Sequence, residues 1–141
     1  MDLKLNETQF KFSILPLKEN SDGYWANICL SIDNKNISVE QCGEYLTRDE
    51  LKRLISAIGL LLKGKITKKY SLDPIEPGLE IDLIPNVALD IMSKEQRETA
   101  DCRMELEILT RDEKMRAWSN ASVLLRLSRK EIEKLYDGLK E

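Results

Sequence analysis

The chain of 141 residues carries 22 Lys plus Arg against 25 Asp plus Glu, no histidine, and a formal charge of −3. One domain of this length buries roughly 68–70% of the surface its unfolded chain exposes, and 42% hydrophobic with 33% charged residues excludes both a disordered tail and a membrane-embedded chain. Without histidine no Ser-His, Cys-His or histidine–metal constellation is available, so most hydrolytic chemistry is disfavoured.

The first residues, Met1 to Glu7, hold no apolar run long enough for a signal-peptide core, and nowhere does the chain approach the roughly 20 apolar residues of a membrane span. The expectation is a cytoplasmic protein. Cys29, Cys42 and Cys102 are odd in number and widely spaced, without a CxxC, so in a reducing compartment each reads as a small buried hydrophobe. No metal site and no cofactor are expected. The six glycines form neither a GxGxxG nor a Walker loop.

Strands come first. Phe10, Phe12 and Ile14 alternate with polar residues, as do Tyr24, Ala26, Ile28, Leu30 and Ile32. Asp33-Asn34-Lys35-Asn36 reads as a turn, returning the segment from Ile37 to Cys42 as a hairpin strand. Thr47-Arg48-Asp49-Glu50 is a capping box, in which the Thr47 hydroxyl and the Glu50 carboxylate each accept from the other's backbone amide. Leu51, Leu54, Ile55, Ile58, Leu61 and Leu62 then form one apolar helical stripe, which Gly64 can end. The spacing predicts a helix over about 48–63. The basic cluster Lys63, Lys65, Lys68 and Lys69 falls where that helix ends, and there cations complement the helix dipole.

Alternation resumes at Leu79, Ile81 and Leu83, at Val87, Leu89 and Ile91, at Cys102, Met104, Leu106 and Ile108, and through Trp118 to Leu127. Ser128-Arg129-Lys130-Glu131 repeats the capping box, and Ile132, Leu135, Tyr136 and Leu139 give a second stripe, a C-terminal helix over about 129–140. One-sided alternation belongs to antiparallel sheets rather than to a doubly wound core. The fold class predicted is therefore α+β: antiparallel, sandwich-like sheets of about seven strands with one packed helix and a C-terminal helix, in a single domain over 1–141.

Charge separates along the chain: residues 1–70 hold 11 basic and 9 acidic side chains, and residues 71–141 hold 11 basic and 16 acidic ones. A net acidic chain argues against nucleic-acid binding through phosphate neutralisation. Glu80 and Asp82 share the polar face of one strand, and Glu105 and Glu107 that of another, with Asp101 and Arg103. If the two strands are neighbours, one face carries a ladder of carboxylates, either an ordinary solvated face or a docking surface for a basic partner. Trp25 and Trp118 are the candidate aromatic anchors of such an interface, and Trp25 sits opposite the apolar parity of its strand. Glu76, between Pro74 and Pro77, reads better as an acceptor for backbone amides in a turn than as a catalytic acid.

The order of these pieces carries a resemblance. Tyr24-Trp25-Ala26-Asn27-Ile28-Cys29-Leu30 precedes a hairpin; then come Tyr45-Leu46-Thr47-Arg48-Asp49-Glu50-Leu51, a long helix, and Ile75-Glu76-Pro77-Gly78-Leu79-Glu80-Ile81. From residue 24 to about 127 the chain resembles the WapI-type family of bacterial immunity proteins, with its early Trp-containing strand, its Leu-Thr-x-x-Glu-Leu helix start and its Phe-x-Glu-Pro-x-Leu-x-Phe strand start, in which this chain has Ile75 and Ile81 where the family often has aromatic residues. The resemblance implies a cytoplasmic protein, not an enzyme, that neutralises a cognate secreted or contact-delivered toxin, commonly a nuclease, by occupying its surface. No catalytic residues carry over. With it, the residues expected to touch a basic toxin are Glu80, Asp82, Glu105, Glu107 and Trp25; the competing reading is a small-molecule-binding or regulatory domain with a pocket between helix and sheet.

Overall fold

The computed structural model describes residues 2–5, 8–16, 22–75, 78–112 and 117–140. Its first sheet is a meander of β1 (Asp2–Leu5), β2 (Thr8–Leu15), β3 (Trp25–Asp33) and β4 (Ser38–Thr47), antiparallel throughout and in chain order. A second four-stranded antiparallel meander is built from β5 (Tyr70–Leu72), β6 (Leu79–Ile84), β7 (Arg103–Asp112) and β8 (Ala117–Leu127). Between them in sequence lies α1 (Arg48–Leu62); a four-residue helix, α2 (Lys94–Arg97), sits in the β6–β7 connection, and α3 (Arg129–Leu139) ends the chain.

The helix limits follow from local chemistry. Thr47 is both the last residue of β4 and the N-cap of α1: its hydroxyl accepts the Glu50 amide at 3.1 Å, and Glu50 Oε1 accepts the Thr47 amide at 2.8 Å. Glu50 is only 2% exposed, and its other oxygen accepts the Ile75 amide at 3.0 Å. One buried carboxylate thus closes the capping box and ties down the segment that leads to β6, its desolvation offset by backbone donors. At the C-terminal helix the Ser128 amide and hydroxyl both donate to the Glu131 carboxylate.

Apolar faces of both sheets and both long helices meet in one core. Phe10, Phe12, Ile28, Leu30 and Ile32 come from the first sheet, Leu79, Ile81, Leu83, Met104, Leu106 and Ile108 from the second, with Leu54 and Ile58 of α1 and Ile132 and Leu135 of α3. Each such side chain contributes about 1.5–3 kcal/mol on burial. The long helices bridge the sheets: α1 touches β3 and β4 on one side and β5 and β6 on the other, whereas α3 touches β1, β7 and β8. They meet each other where Gly59 faces Tyr136, whose hydroxyl lies 2.7 Å from where a Cβ on Gly59 would stand.

One expected strand is corrected. Val87, Leu89 and Ile91 do not form a strand: the Asn86 side chain accepts the Ala88 amide at 2.9 Å, a 3-10 turn spans Leu89–Ile91, and only Leu89 is buried. A Ser93–Gln96 capping box then starts α2, so local side-chain bonds divert the backbone from the ladder. Lys63 is the C-cap of α1, and a further cation arrives there from Arg129 in the first turn of α3: its guanidinium donates to Leu62 O at 2.7 Å, to Ala100 O at 2.8 Å and to Glu98 O, while Nε donates to Glu133 at 2.9 Å.

These junctions predict two stability changes, both measurable by urea unfolding. Arg129→Ala leaves three carbonyls without their charged donor and should cost about 3 kcal/mol, and Arg129→Lys should recover less than half, because an ammonium lacks the planar fork. Gly64 has φ +71°, and a Cβ there would stand 2.4 Å from Arg97 Cβ and 2.8 Å from Arg97 O. Gly64→Ala should therefore cost about 2 kcal/mol or more.

Candidate interaction face

The pairing of β6 with β7 settles which side chains share the outer face of the second sheet. Glu80 stands opposite Glu107, and Asp82 opposite Glu105; the next pair along the strands toward the β6–β7 connection is Ile84 with Arg103. Opposed residues have Cβ atoms about 4.5–5.5 Å apart, a spacing at which like charges destabilise the sheet. The four carboxylates expected to form a ladder therefore do form one, while their neighbours Leu79, Ile81, Leu83, Leu106 and Ile108 point into the core.

Flanking strands treat the two acidic pairs differently. Asp82 lies 3.6 Å from Lys69 Nζ, just before β5. Glu105 Oε1 receives both Arg103 Nε at 3.3 Å and Arg126 Nε at 3.4 Å, the latter from the facing position on β8. No ion pair among the described residues reaches Glu80 or Glu107. On β8 the position facing Glu107 is Leu124, 48% exposed. Among the described residues Glu80 and Glu107 are thus the two carboxylates of the ladder without an ion pair, bordered by an exposed aliphatic side chain, whereas Asp82 and Glu105 share three cations.

Lys69 and Arg126 were missed because only strand register brings them to the carboxylates. Alternation along the last strand carried a usable signal for Arg126, which has the outward parity of Leu124.

Trp25 is not part of this face. It lies at the start of β3 in the first sheet, half-buried, with its ring edge-on to Tyr24 at 5.3 Å between centroids. Trp118 pairs with Arg111 in the β7–β8 ladder, and Glu76 lies outside the described residues. The cysteines depart from the expectation of separate buried thiols: Cys29 and Cys42 are partners in the β3–β4 register and are joined by a disulfide, half-buried and exposed respectively. Glu40 completes a cluster whose donor atoms lie within 4.8 Å of one another, but sulfurs bonded to each other are not thiolate ligands. Cys102 alone is a free, half-buried thiol; burial pushes it above the ordinary thiol range, partly opposed by the charge of Arg129.

One concave surface adjoins the Arg103 and Arg126 end of this face, and others lie away from it. A cleft of about 640 Å³ is bounded by Val87, Cys102, Arg103, Arg126 and the start of α3, and another of about 860 Å³ by Lys63, Lys65, Lys94 and Arg97. The space between helix and sheet, from Leu51 and Ile55 to Ile14 and Ala26, encloses about 200 Å³. Pockets that bury drug-sized molecules hold about 300–1,000 Å³, so the pocket expected for a small-molecule domain is undersized. No helix among the described residues is long and apolar enough to cross a membrane.

Comparison with known proteins gives one finding. No curated protein and no solved structure matches the chain. The immunity protein WapI-like family matches residues 2–141, reaching beyond the 24–127 segment that carries the sequence motifs to take in β1, β2 and α3. With nearly the whole chain aligned and both of its sheets included, the protein belongs to the WapI-like family of immunity proteins.

Proposed function

We propose that this protein binds a cognate bacterial toxin in the cytoplasm and neutralises it stoichiometrically, without catalysis, by occupying the toxin's surface with the outer face of the second sheet. The observation that carries the reading is the direct opposition of Glu80 and Glu107, to which no ion pair among the described residues is made. Like charges placed opposite one another cost stability, and a basic partner arriving there converts that cost into attraction. A nuclease toxin suits the site best: it is basic in order to hold phosphates, and a pair of carboxylates flanked by Leu124 can take the place of the nucleic acid. Asp82 and Glu105, already matched by Lys69, Arg103 and Arg126, set the register of the contact rather than its strength.

Charge reversal at the four positions tests this against the cognate toxin, recovered by pull-down as one stoichiometric partner. Glu80→Lys and Glu107→Lys should each slow association about tenfold at low salt, and the difference should shrink as added salt shortens the Debye length below about 10 Å. Asp82→Lys should have the smaller effect on rate. Association rates unchanged by all four reversals would falsify the assignment of this face.

The same variants carry an opposite expectation for the free protein. Relieving the Glu80–Glu107 repulsion should raise its unfolding free energy by about 0.2–1 kcal/mol in Glu107→Lys, measured by urea titration. Gain in stability with loss of association is the signature of charges kept for a partner; a loss of both would make the pair a structural element instead.

A further inference from the structure

Cys29 and Cys42 lie on the outer face of the other sheet, away from the proposed toxin contact. Their Cα atoms are 4.0 Å apart across the β3–β4 ladder. Backbone pairing continues on both sides of them, to Ser31–Glu40 and Asp33–Ser38 in one direction and past an irregularity to Trp25–Thr47 in the other. The strands, not the sulfurs, hold the two residues together, so the thiols remain neighbours when the bond opens. Cys42 is exposed on an edge strand, whereas Cys29 is half-buried between β4 and Ser13 of β2.

We propose that Cys29 and Cys42 are a reversible dithiol–disulfide couple of the folded protein, with Cys42 the sulfur that exchanges with a small external disulfide such as oxidised glutathione. The Cys42 thiolate attacks one glutathione sulfur, forming a mixed disulfide and expelling one glutathione thiolate. Cys29, already in place across the ladder, then loses its proton and attacks Cys42 Sγ, closing the protein disulfide and expelling the second glutathione. Two electrons pass from the protein sulfurs to glutathione, and the two protons leave with its thiols. Reduced glutathione runs the sequence backwards.

Two neighbours shape this chemistry. Glu40 Oε1 stands 3.9 Å from Cys42 Sγ, and a carboxylate there opposes formation of the thiolate. Cys102 is the internal control: half-buried, with its thiol pushed up by burial, it should stay unmodified while the chain is folded.

The test is a titration of the intact protein with mixtures of reduced and oxidised glutathione, followed by alkylation of the remaining thiols and peptide mass spectrometry. The wild type should pass between dithiol and disulfide as the ratio changes, with its far-ultraviolet circular dichroism constant. Cys29→Ser, which removes the resolving thiol, should accumulate glutathione on Cys42, about tenfold faster than Cys42→Ser accumulates it on Cys29. Glu40→Gln should speed the first step about threefold at neutral pH. The proposal is overturned if the folded wild type forms no Cys29–Cys42 bond at any ratio, if glutathione settles on Cys102 instead, or if the two serine variants react equally fast. The wild-type titration alone decides reversibility, should a serine variant fold poorly.

Discussion

A single guanidinium holds the architecture in register. Arg129 stands at the first turn of α3, yet its donors go to the last carbonyl of α1 and to two carbonyls in the turn after α2. The end of a helix leaves carbonyls without intrahelical donors, and two such segments converge here, so a planar cation with several fixed N–H groups suits the place better than a lysine. Because α1 touches strands of both sheets and α3 does likewise, fixing the helix pair fixes the sheets around it. Glu50 acts as the counterpart at the opposite end of α1, joining the cap to Ile75 through a buried carboxylate. The helix that spans the two sheets is therefore anchored at one end by an acid on backbone amides and at the other by a base on backbone carbonyls, each sign matched to the dipole end it meets.

That anchoring frees the outer faces. With the apolar side of each sheet consumed by the helices and the common core, the outward positions carry little of the burial that stabilises the fold, and their chemistry can vary at small cost. The second sheet uses this freedom unevenly. Three cations from outside β6 and from β7 and β8 neutralise Asp82 and Glu105, yet among the described residues none pairs with Glu80 or Glu107. A solvated face selected only for stability would gain by a Lys or Arg at the Leu124 position, which faces Glu107; this chain has an exposed leucine there instead. That exposed leucine beside the Glu80–Glu107 pair is the departure from a uniformly charged surface on which the proposed contact rests.

What was legible in the sequence was what local chemistry determines. Both long helices begin at the residues their capping boxes specify and end within one residue of the position set by their apolar stripes. Six of the expected strands are present, because alternation reports a buried face directly. Register was beyond reach. A turn over 33–36 would pair Ile32 with Ile37 and set Cys29 opposite Glu40; Asn34 instead accepts the amides of Asn36 and Ile37, the ladder closes at Asp33–Ser38, and Cys42 moves into place. The strands β1 and β5 escaped for a different reason: short edge segments have no long alternation to read, and β5 is defined by its pairing with β6. The four acids were found because each pair lies two residues apart on one strand, a separation that fixes the face; their cations were not, since only the completed sheet brings Lys69 and Arg126 beside them.

The two outer faces differ in what a change on each can transmit. On the second sheet the proposed contact is electrostatic and long-ranged, so its strength depends on net charge at Glu80 and Glu107 more than on their conformation. On the first sheet, opening the bond between Cys29 and Cys42 leaves the β3–β4 ladder paired around it. The core between the sheets is close-packed, and a perturbation confined to an outward pair that the backbone already holds does not displace the side chains beneath it. Ile28 and Leu30, which flank Cys29 in sequence, point the other way into that core. Redox state at the cysteine pair should therefore be decoupled from toxin association at the acidic face. A coupling between them, were it found, would have to run through the strands of the first sheet and the helices α1 and α3, each of which touches both sheets.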